Sequence, residues 1–379
     1  MSDRVARAAL SRLSEPGDLR LRAVVVELGA ERVFDLLRHE QDVRGVYTDV
    51  AERLRGLDPE GELSMAADRG IRFLCPGDSE WPGQLGDLDS AGAVNDRGGE
   101  PLGLWVRGPL SLATVTARAA AVVGSRSATT YGADVAGQIG ACLAGAGTTV
   151  VSGAAFGIDV AAHRGALAAR GPTVAVLACG VDRAYPAAHK TLLDYISERG
   201  LVVSELPPGC APTRLRFLSR NRMIAALAQG TVVVEAAVRS GALNTAHWAG
   251  RLGRIVMGVP GPVTSAPSTG VHELIRRGEA QLVTAGEHVL ELLAPVGEQL
   301  TDPLRAVERP TDRLDISTRQ VLDAVPVSRP ADAGSITRTA GVSVPVASRA
   351  LATLHSLGIV ERLAEGWRRA PVNSSEGSW

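Results

Sequence analysis

Four arginines, Arg214, Arg216, Arg220 and Arg222, stand within nine residues with no acidic residue between them. A guanidinium group donates paired hydrogen bonds to phosphate oxygens. If the segment is helical, Arg216 and Arg220 share one face, because they lie four residues apart. The run predicts a binding site for an extended anionic ligand such as a phosphate chain, and a solvated charged surface is the alternative.

The segment that follows must position these arginines. Residues 223–228 (MIAALA) have helical composition, and residues 231–237 (TVVVEAA) have the β-branched composition of a buried parallel strand. Small and polar residues come next: Ser240, Gly241, Asn244 and Thr245. Ligands of open parallel sheets bind outside the carboxyl ends of the strands. We therefore expect the arginines and these small residues to meet there.

Two other predicted strands end in loops suited to an anion. After the first, Gly124 allows close approach to the backbone, and Ser125 with the amides that follow can donate to an oxyanion at a helix start. Arg126 adds a phosphate donor, and its alternative role is to satisfy loop carbonyls. The second strand ends in a small-residue turn made of Ser152, Gly153 and Gly157.

Three ionisable residues near these loops could act as acids or bases. Asp159 and His163 lie four residues apart, but no nucleophile stands beside them, so we expect a helix-capping and orienting role for Asp159. Glu235 ends a strand, and we expect it to orient an arginine, either Arg222 or Arg239. The chain has no P-loop, HExxH or GxSxG motif. No catalytic residue and no metal site is predicted.

The central part of the chain alternates strands with helices. Apolar runs occupy residues 119–124, 148–153, 173–180, 201–206, 231–237 and 254–261. Right-handed crossovers place all these strand ends at one rim, which predicts a long groove. The predicted fold class is α/β: an extended, Rossmann-like doubly wound sheet with a small N-terminal helical domain and a C-terminal winged-helix domain.

Changes of pattern set the predicted domain boundaries. They give a helical domain (1–70), a sheet domain (71–294), a charged, proline-rich linker (295–315), a winged helix (316–370) and a disordered tail (371–379). The second helix of the winged helix, 344–358, has strong apolar spacing and a single arginine. That composition favours contact with a protein over contact with DNA.

The composition is that of a globular protein, with 45% apolar and 21% charged residues among 379. The net charge of −1 gives no global attraction to nucleic acid, so a polyanion site must be a local patch. The four cysteines lack metal-ligand spacing, which predicts reduced thiols and a cytoplasmic location. No apolar run is long enough to predict a membrane span.

Seven motifs occur in the order and spacing of a known family. They are VVGSRSATTYG, VVSGAAFGIDVAAHRGAL, TVAVLACGVDRAYP, LVVSELPPG, RFLSRNRMIAALA, VVVEAAVRSGALNTA and VPGPV. Through them, residues 71–290 resemble the DNA processing protein A family, called DprA or Smf. The resemblance implies a protein without enzymatic activity that binds single-stranded DNA, protects incoming strands during natural transformation and loads the RecA recombinase.

The resemblance also implies partners and contact residues. The expected partners are single-stranded DNA, RecA and a second copy of the chain, with a single-stranded DNA-binding protein as a further candidate; no cofactor is expected. The residues expected at the DNA are Gly124, Ser125, Arg126, Ser152, Gly153, Gly157, Phe217, Arg220, Asn221, Arg222, Ser240, Gly241 and Thr245. Because only 3% of the residues are aromatic, phosphate contacts should outweigh base stacking.

Two other functions remain open on the sequence. A nucleotide-processing hydrolase on a related, lysine-decarboxylase-like sheet would use a PGGxGT-type loop, whereas the nearest string here, VPGPVTSAPSTG, lacks the paired glycines. A transcriptional regulator would act through the winged helix and would prefer duplex DNA.

Overall fold

The computed structural model describes residues 1–42, 45, 46, 50, 53, 54, 56–300 and 310–371. The chain forms two compact units, Met1–Thr301 and Asp302–Trp379. The first unit holds the sheet that positions the candidate site. Within the described ranges, no helix combines the length and the apolar character needed to cross a membrane.

A large, mostly parallel sheet forms the centre of the first unit. Its strands, within the described residues, are β1 (Ile71–Leu74), β2 (Leu104–Arg107), β3 (Ala119–Val123), β4 (Thr149–Ser152), β5 (Thr173–Val176), β6 (Leu201–Ser204), β7 (Gly230–Val233), β8 (Ile255–Gly258) and β9 (Gln281–Leu282). Their order is β1-β2-β6-β5-β4-β3-β7-β8-β9. The strands β3 to β9 are parallel, and β1 and β2 add an antiparallel edge beside β6.

This strand order diverges from β3, with β4, β5 and β6 on one side and β7, β8 and β9 on the other. Such divergence defines a doubly wound sheet. The predicted α/β, Rossmann-like class is therefore confirmed.

Helices cover both faces of the sheet. Those described in the first unit are α1 (Asp3–Leu13), α2 (Leu19–Leu28), α3 (Ala30–Arg38), α4 (Pro59–Asp68), α5 (Asp87–Ser90), α6 (Leu112–Thr116), α7 (Thr130–Gly145), α8 (Ile158–Ala168), α9 (Lys190–Arg199), α10 (Arg214–Ala226), α11 (Gly241–Arg251), α12 (Thr269–Arg276) and α13 (Gly286–Leu293). Short 3-10 turns lie at Gly83–Gly86, Ala187–His189 and Ala266–Ser268.

The central strand β3 is buried on both faces because its side chains alternate between two apolar layers. Ala120 and Val122 pack in the layer that contains α7, α8 and α13. Ala121 and Val123 pack in the layer that contains α10 and α11. The alanines of β3 are small, which lets helices approach the middle of the sheet closely.

The N-terminal helices pack around their own apolar cluster, which includes Leu10, Leu21, Phe34 and Leu37. Ala8 of α1 also packs in the cluster that contains Phe73 and Trp105 of the sheet. The helices expected in residues 1–70 are thus present where the chain is described, and they belong to the same compact unit as the sheet.

In its described residues, 310–371, the second unit contains three helices and a hairpin. After a 3-10 turn at Pro310–Arg313 come α14 (Ile316–Ala324), α15 (Ala333–Ala340) and α16 (Val344–Ser356), then the antiparallel pair β10 (Val360–Leu363) and β11 (Gly366–Arg369). The assignment of this unit as a winged helix stays a prediction. Much of the predicted linker (295–315) and almost all of the predicted tail (371–379) lie outside the described residues.

Candidate nucleic-acid interface

A cleft opens where the strand order diverges. The strands β3 and β7 are parallel neighbours, with Val123 opposite Val233. The helices that follow them, α7 and α11, pack on opposite faces of the sheet. This divergence leaves a crevice outside the carboxyl ends of the two strands. Here the crevice has a volume of about 780 Å³.

Most of the predicted contact residues meet in this cleft. Its lining includes Gly124, Ser125, Arg126, Phe217, Arg220, Asn221, Ser240, Gly241 and Thr245. They come from the turn after β3, from α10 and from the start of α11. The loops after β4 and β5 add Ala155 and Tyr185. The end of the loop after β6 adds Pro212 and Thr213 to the lining.

The turn after β3 fits tightly against its neighbours. A Cβ at residue 124 would collide with Ile158, and Gly157, at φ +77°, leaves space for the Ser125 carbonyl. Arg126 is exposed, and its guanidinium carbon lies 4.6 Å from the centre of the Phe217 ring. A cation over an aromatic face is attracted to it but keeps its hydrogen-bond donors free. Arg126 can therefore still bind an anion.

Helix α10 forms the wall opposite this turn, and Arg220 on it lies at the base of the cleft. Arg220 is 6% exposed, and its Nη1 donates to the carbonyls of Gly153 and Val176 at 2.8 and 2.5 Å. Burial lowers the pKa of Arg220 to about 10, which leaves it charged at neutral pH. Among the described residues no hydrogen-bond acceptor is found for its Nη2, and the residue lines the cleft.

Asp159 supports the base of the cleft by orienting the loop after β4. Its Oδ2 accepts hydrogen bonds from the amides of Gly153 and Ala155 at 3.1 and 3.3 Å. Burial raises the pKa of Asp159, and the charge of Arg220 opposes that shift. The expected orienting role is observed, but the contacts are to the loop and not to the end of the helix.

His163 is packed inside the fold and does not line the cleft. Its Nδ1 lies 2.7 Å from the Thr173 hydroxyl, and burial lowers its pKa to about 3. The imidazole is therefore neutral at physiological pH. Within the described ranges, no group of His, Cys, Asp and Glu side chains is arranged to hold a metal ion.

Three exposed arginines surround the cleft: Arg126, Arg214 and Arg239. In the part of the chain that the structure describes, none of the three forms an ion pair. Sequence reasoning did not assign Arg239 to the ligand, although it stands directly before the Ser240-Gly241 turn. Its position at a strand end was the signal that could have identified it.

Arg222 requires a correction, because it was expected at the DNA. Its side chain is 0% exposed and is bound to the two carboxylate oxygens of Glu205 at 2.8 and 2.7 Å. Arg216 is held in the same way by Glu15, at 2.8 and 2.7 Å. Arg216 and Arg220 do border one cavity, but it is a small internal one. An arginine that neutralises an internal carboxylate is not available to a phosphate.

Ser152 and Gly153 also require a correction, because they lie behind the cleft and not in its lining. Ser152 is 0% exposed and donates its hydroxyl hydrogen to the Val122 carbonyl at 2.6 Å. Gly153 is buried beneath Arg220, whose guanidinium would collide with a Cβ there. Gly157 shapes the adjacent turn. These three residues position the binding groups, and the structure gives them no surface in the cleft.

Glu235 has a different partner from the expected arginine. Its Oε1 accepts from the Thr129 hydroxyl at 2.5 Å, and its Oε2 accepts from the Thr129 amide at 3.0 Å. Thr129 is the residue that caps the N-terminus of α7. At this helix start, the amide and hydroxyl of Thr129 are therefore engaged by the protein's own carboxylate.

Two aromatic side chains border the cleft. The rings of Tyr185 and Phe217 lie 5.6 Å apart, and Tyr185 is 45% exposed. Tyr185 was noted in the sequence only as part of a strand-end motif. Together the two rings offer planar apolar surface beside the arginines, which suits an unpaired base.

The fold and the cleft together define a class: a Rossmann-like α/β protein with a cationic cleft at its switch point, the place where the strand order diverges. The family model described as DNA recombination-mediator protein A matches residues 72–294. The chain belongs to this family of DNA-processing proteins, as the sequence motifs predicted.

Individual relatives agree with this membership. A provisionally named DNA processing protein DprA of Mycobacterium tuberculosis is 43% identical over 375 residues, which cover 97% of this chain and 95% of that protein. The X-ray structure of DprA from Streptococcus pneumoniae matches with a TM-score of 0.62 and 32% identity, over 76% of this chain and 97% of that one. A Helicobacter pylori structure, titled for its single-stranded DNA binding mode, matches with a TM-score of 0.50 and 25% identity, over 59% of this chain and 95% of that one.

Proposed function

We propose that this protein binds single-stranded DNA in the switch-point cleft and catalyses no reaction on it. The observation that carries this proposal is that Arg126, Arg214 and Arg239, which form no ion pair with any described residue, line the cleft together with the buried Arg220. A single strand presents a regular row of phosphates to such cations, and its bases are free to lie against Phe217 and Tyr185. The binding mode named for the Helicobacter relative supports the same ligand.

We also propose a wider role, which family membership supports. In this role the protein works in the cytoplasm as a homodimer, protects incoming single strands during natural transformation and passes them to RecA. The description of the family as a recombination mediator supports this role.

A nucleotide-processing hydrolase fits the site less well. Such an enzyme needs an anion site for the phosphate and an acid or base near the scissile bond. Here Glu235 occupies the helix start, and His163 is buried and neutral at physiological pH. Incubation with nucleoside monophosphates should therefore release no free base.

A salt titration with matched oligonucleotides tests the proposed ligand. Binding of a fluorescent oligothymidine should weaken as salt rises, with a log–log slope of about −2 to −3 for three to four phosphate contacts on a single strand. A duplex of equal length should bind more weakly at each salt concentration. Equal affinity for duplex, or a slope near zero, would contradict the proposal.

A further inference from the structure

The helix N-terminus beside the cleft differs from the one that binds phosphate in other doubly wound folds. In a doubly wound sheet, the phosphates of a bound nucleotide lie at the N-terminus of the helix that follows the first parallel strand. Here that strand is β3 and the helix is α7, which runs for 16 residues from Thr130. The position that would receive a nucleotide phosphate can therefore be located in this structure.

Glu235 fills that position from inside the fold. It lies just beyond β7, is 1% exposed and binds both the amide and the hydroxyl of Thr129. Its carboxylate also covers the first turn of α7, because a Cβ at residue 132 would collide with it. The glycine at this position thus makes room for a side chain of the protein and not for a ligand.

Gly124 is used in the same way. A Cβ there would collide with Ile158 and would lie 2.9 Å from the backbone oxygen of Glu235. In dinucleotide-binding folds the corresponding turn lets a phosphate approach the backbone. Here the loop after β7 occupies the space that a phosphate would need. Both Gly124 and Gly132 therefore serve internal packing.

The cations that remain available to a ligand are arginine side chains away from the N-terminus of α7. Arg126, Arg214 and Arg239 are exposed around the cleft. A free nucleotide would lose the helix N-terminus, because the Glu235 carboxylate already binds Thr129 there. A polynucleotide can still bind, because it contacts several of the arginines at once.

We propose that Glu235 determines specificity, by occupying the phosphate position of the fold and thereby excluding free nucleotides and polyphosphates while a polynucleotide binds in the cleft. This inference rests on the proposed single-stranded DNA binding. It assigns to Glu235 a role in choosing between ligands that carry the same phosphate chemistry.

Competition between oligothymidine and small phosphates measures this selectivity in the full chain. Fluorescent oligothymidine bound to the wild type should be displaced by pyrophosphate or ATP no better than by sodium chloride of equal ionic strength. With Glu235→Ala, which opens the phosphate position, displacement should need at least about fivefold less pyrophosphate, since an anion gains the helix N-terminus. Strong displacement from the wild type would overturn the inference, whether or not the variant folds.

A thermal measurement without DNA separates this inference from the proposed function. Pyrophosphate should raise the melting temperature of Glu235→Ala relative to chloride, and it should leave the wild type unchanged. Thr129→Val is the matched control, because it removes one hydrogen bond of Glu235 and leaves the carboxylate in place; it should not respond to pyrophosphate. If Glu235→Ala still binds oligothymidine but gains nothing from pyrophosphate, the inference is wrong and the DNA proposal stands.

Discussion

Arginines of this chain have sharply different environments. Arginine supplies 39 of the 40 basic residues, so its presence alone does not mark a binding site. Arg126 and Arg239 are exposed and unpaired within the described chain, whereas Arg222 is sealed against Glu205. The partner and the burial of each arginine decide which of them can bind a ligand.

The sequence predicted the correct residue type and the correct segment, but not these partners. Glu205 lies 17 residues before Arg222, and Glu15 lies 201 residues before Arg216. Contacts over such separations depend on the tertiary structure and leave no local pattern. Arg126 could be predicted because it follows a strand that ends at the switch point, and ligand sites have a known location there.

Removal of Arg222 should destabilise the fold. Arg222→Ala leaves the Glu205 carboxylate without its partner in a largely buried site, and breaking such a pair costs about 3–5 kcal/mol. Urea denaturation of the wild type and the variant measures the difference. Arg214→Ala, at an exposed arginine of the same helix, is the control and should change stability by less than about 0.5 kcal/mol. An Arg222 variant as stable as the wild type would show that the pair is not a structural one.

His163 should make stability depend on pH. Its pKa is about 3 in the folded chain, against about 6.5 in an unfolded chain, so the unfolded state binds the proton first as the pH falls. The free energy of unfolding should therefore drop from pH 6.5 towards pH 3, by up to about 1.4 kcal/mol per pH unit. His163→Gln should flatten this part of the curve. His247→Gln, at an exposed histidine, should not, and equal slopes in both variants would refute the assignment.

At the scale of elements, the sequence predicted the parallel strands β3 to β8 because each lies in a short apolar run. It placed some ends too late. The run at 173–180 was predicted as one strand, whereas β5 ends at Val176. Leu177, Ala178 and Cys179 remain buried after the strand has ended, so burial alone did not mark the boundary. The edge strand β9 was missed because its two residues, Gln281–Leu282, are too few to form a pattern.

An ion pair connects the N-terminal segment to a wall of the cleft. Glu15, in the turn between α1 and α2, binds Arg216 on α10, the helix that carries Phe217 and Arg220. The pair is only partly exposed, at 16% for Arg216 and 30% for Glu15. The turn therefore holds a wall of the cleft without itself lining it.

Loss of the Glu15–Arg216 ion pair should weaken DNA binding. Glu15→Gln should reduce the affinity for oligothymidine by about three- to tenfold, because the first turn of α10 is no longer fixed; this range corresponds to ~1 kcal/mol. The exchange Glu15→Arg with Arg216→Glu keeps the net charge and should restore most of the affinity, as measured by fluorescence anisotropy. Unchanged binding by Glu15→Gln would show that the N-terminal helices and the cleft are independent.

At the scale of the whole molecule, the net charge of −1 conceals a local concentration of positive charge. Most acidic groups near α10 are used internally, as Glu15, Glu205 and Glu235 show. The arginines left around the cleft are then attractive to a polyanion at short range. Salt should screen this attraction, because the Debye length is about 8 Å at physiological ionic strength.

Charge reversal at the two ends of β3 tests most directly whether the cleft binds DNA. Arg126 follows the strand and lines the cleft, whereas Arg118 precedes the strand, is also exposed and lies at the other edge of the sheet. Arg126→Glu and Arg118→Glu make the same change in net charge. We expect Arg126→Glu to weaken oligothymidine binding by at least about tenfold, and Arg118→Glu to weaken it by less than about twofold. Equal losses in the two variants would mean that overall charge, and not the cleft, holds the DNA.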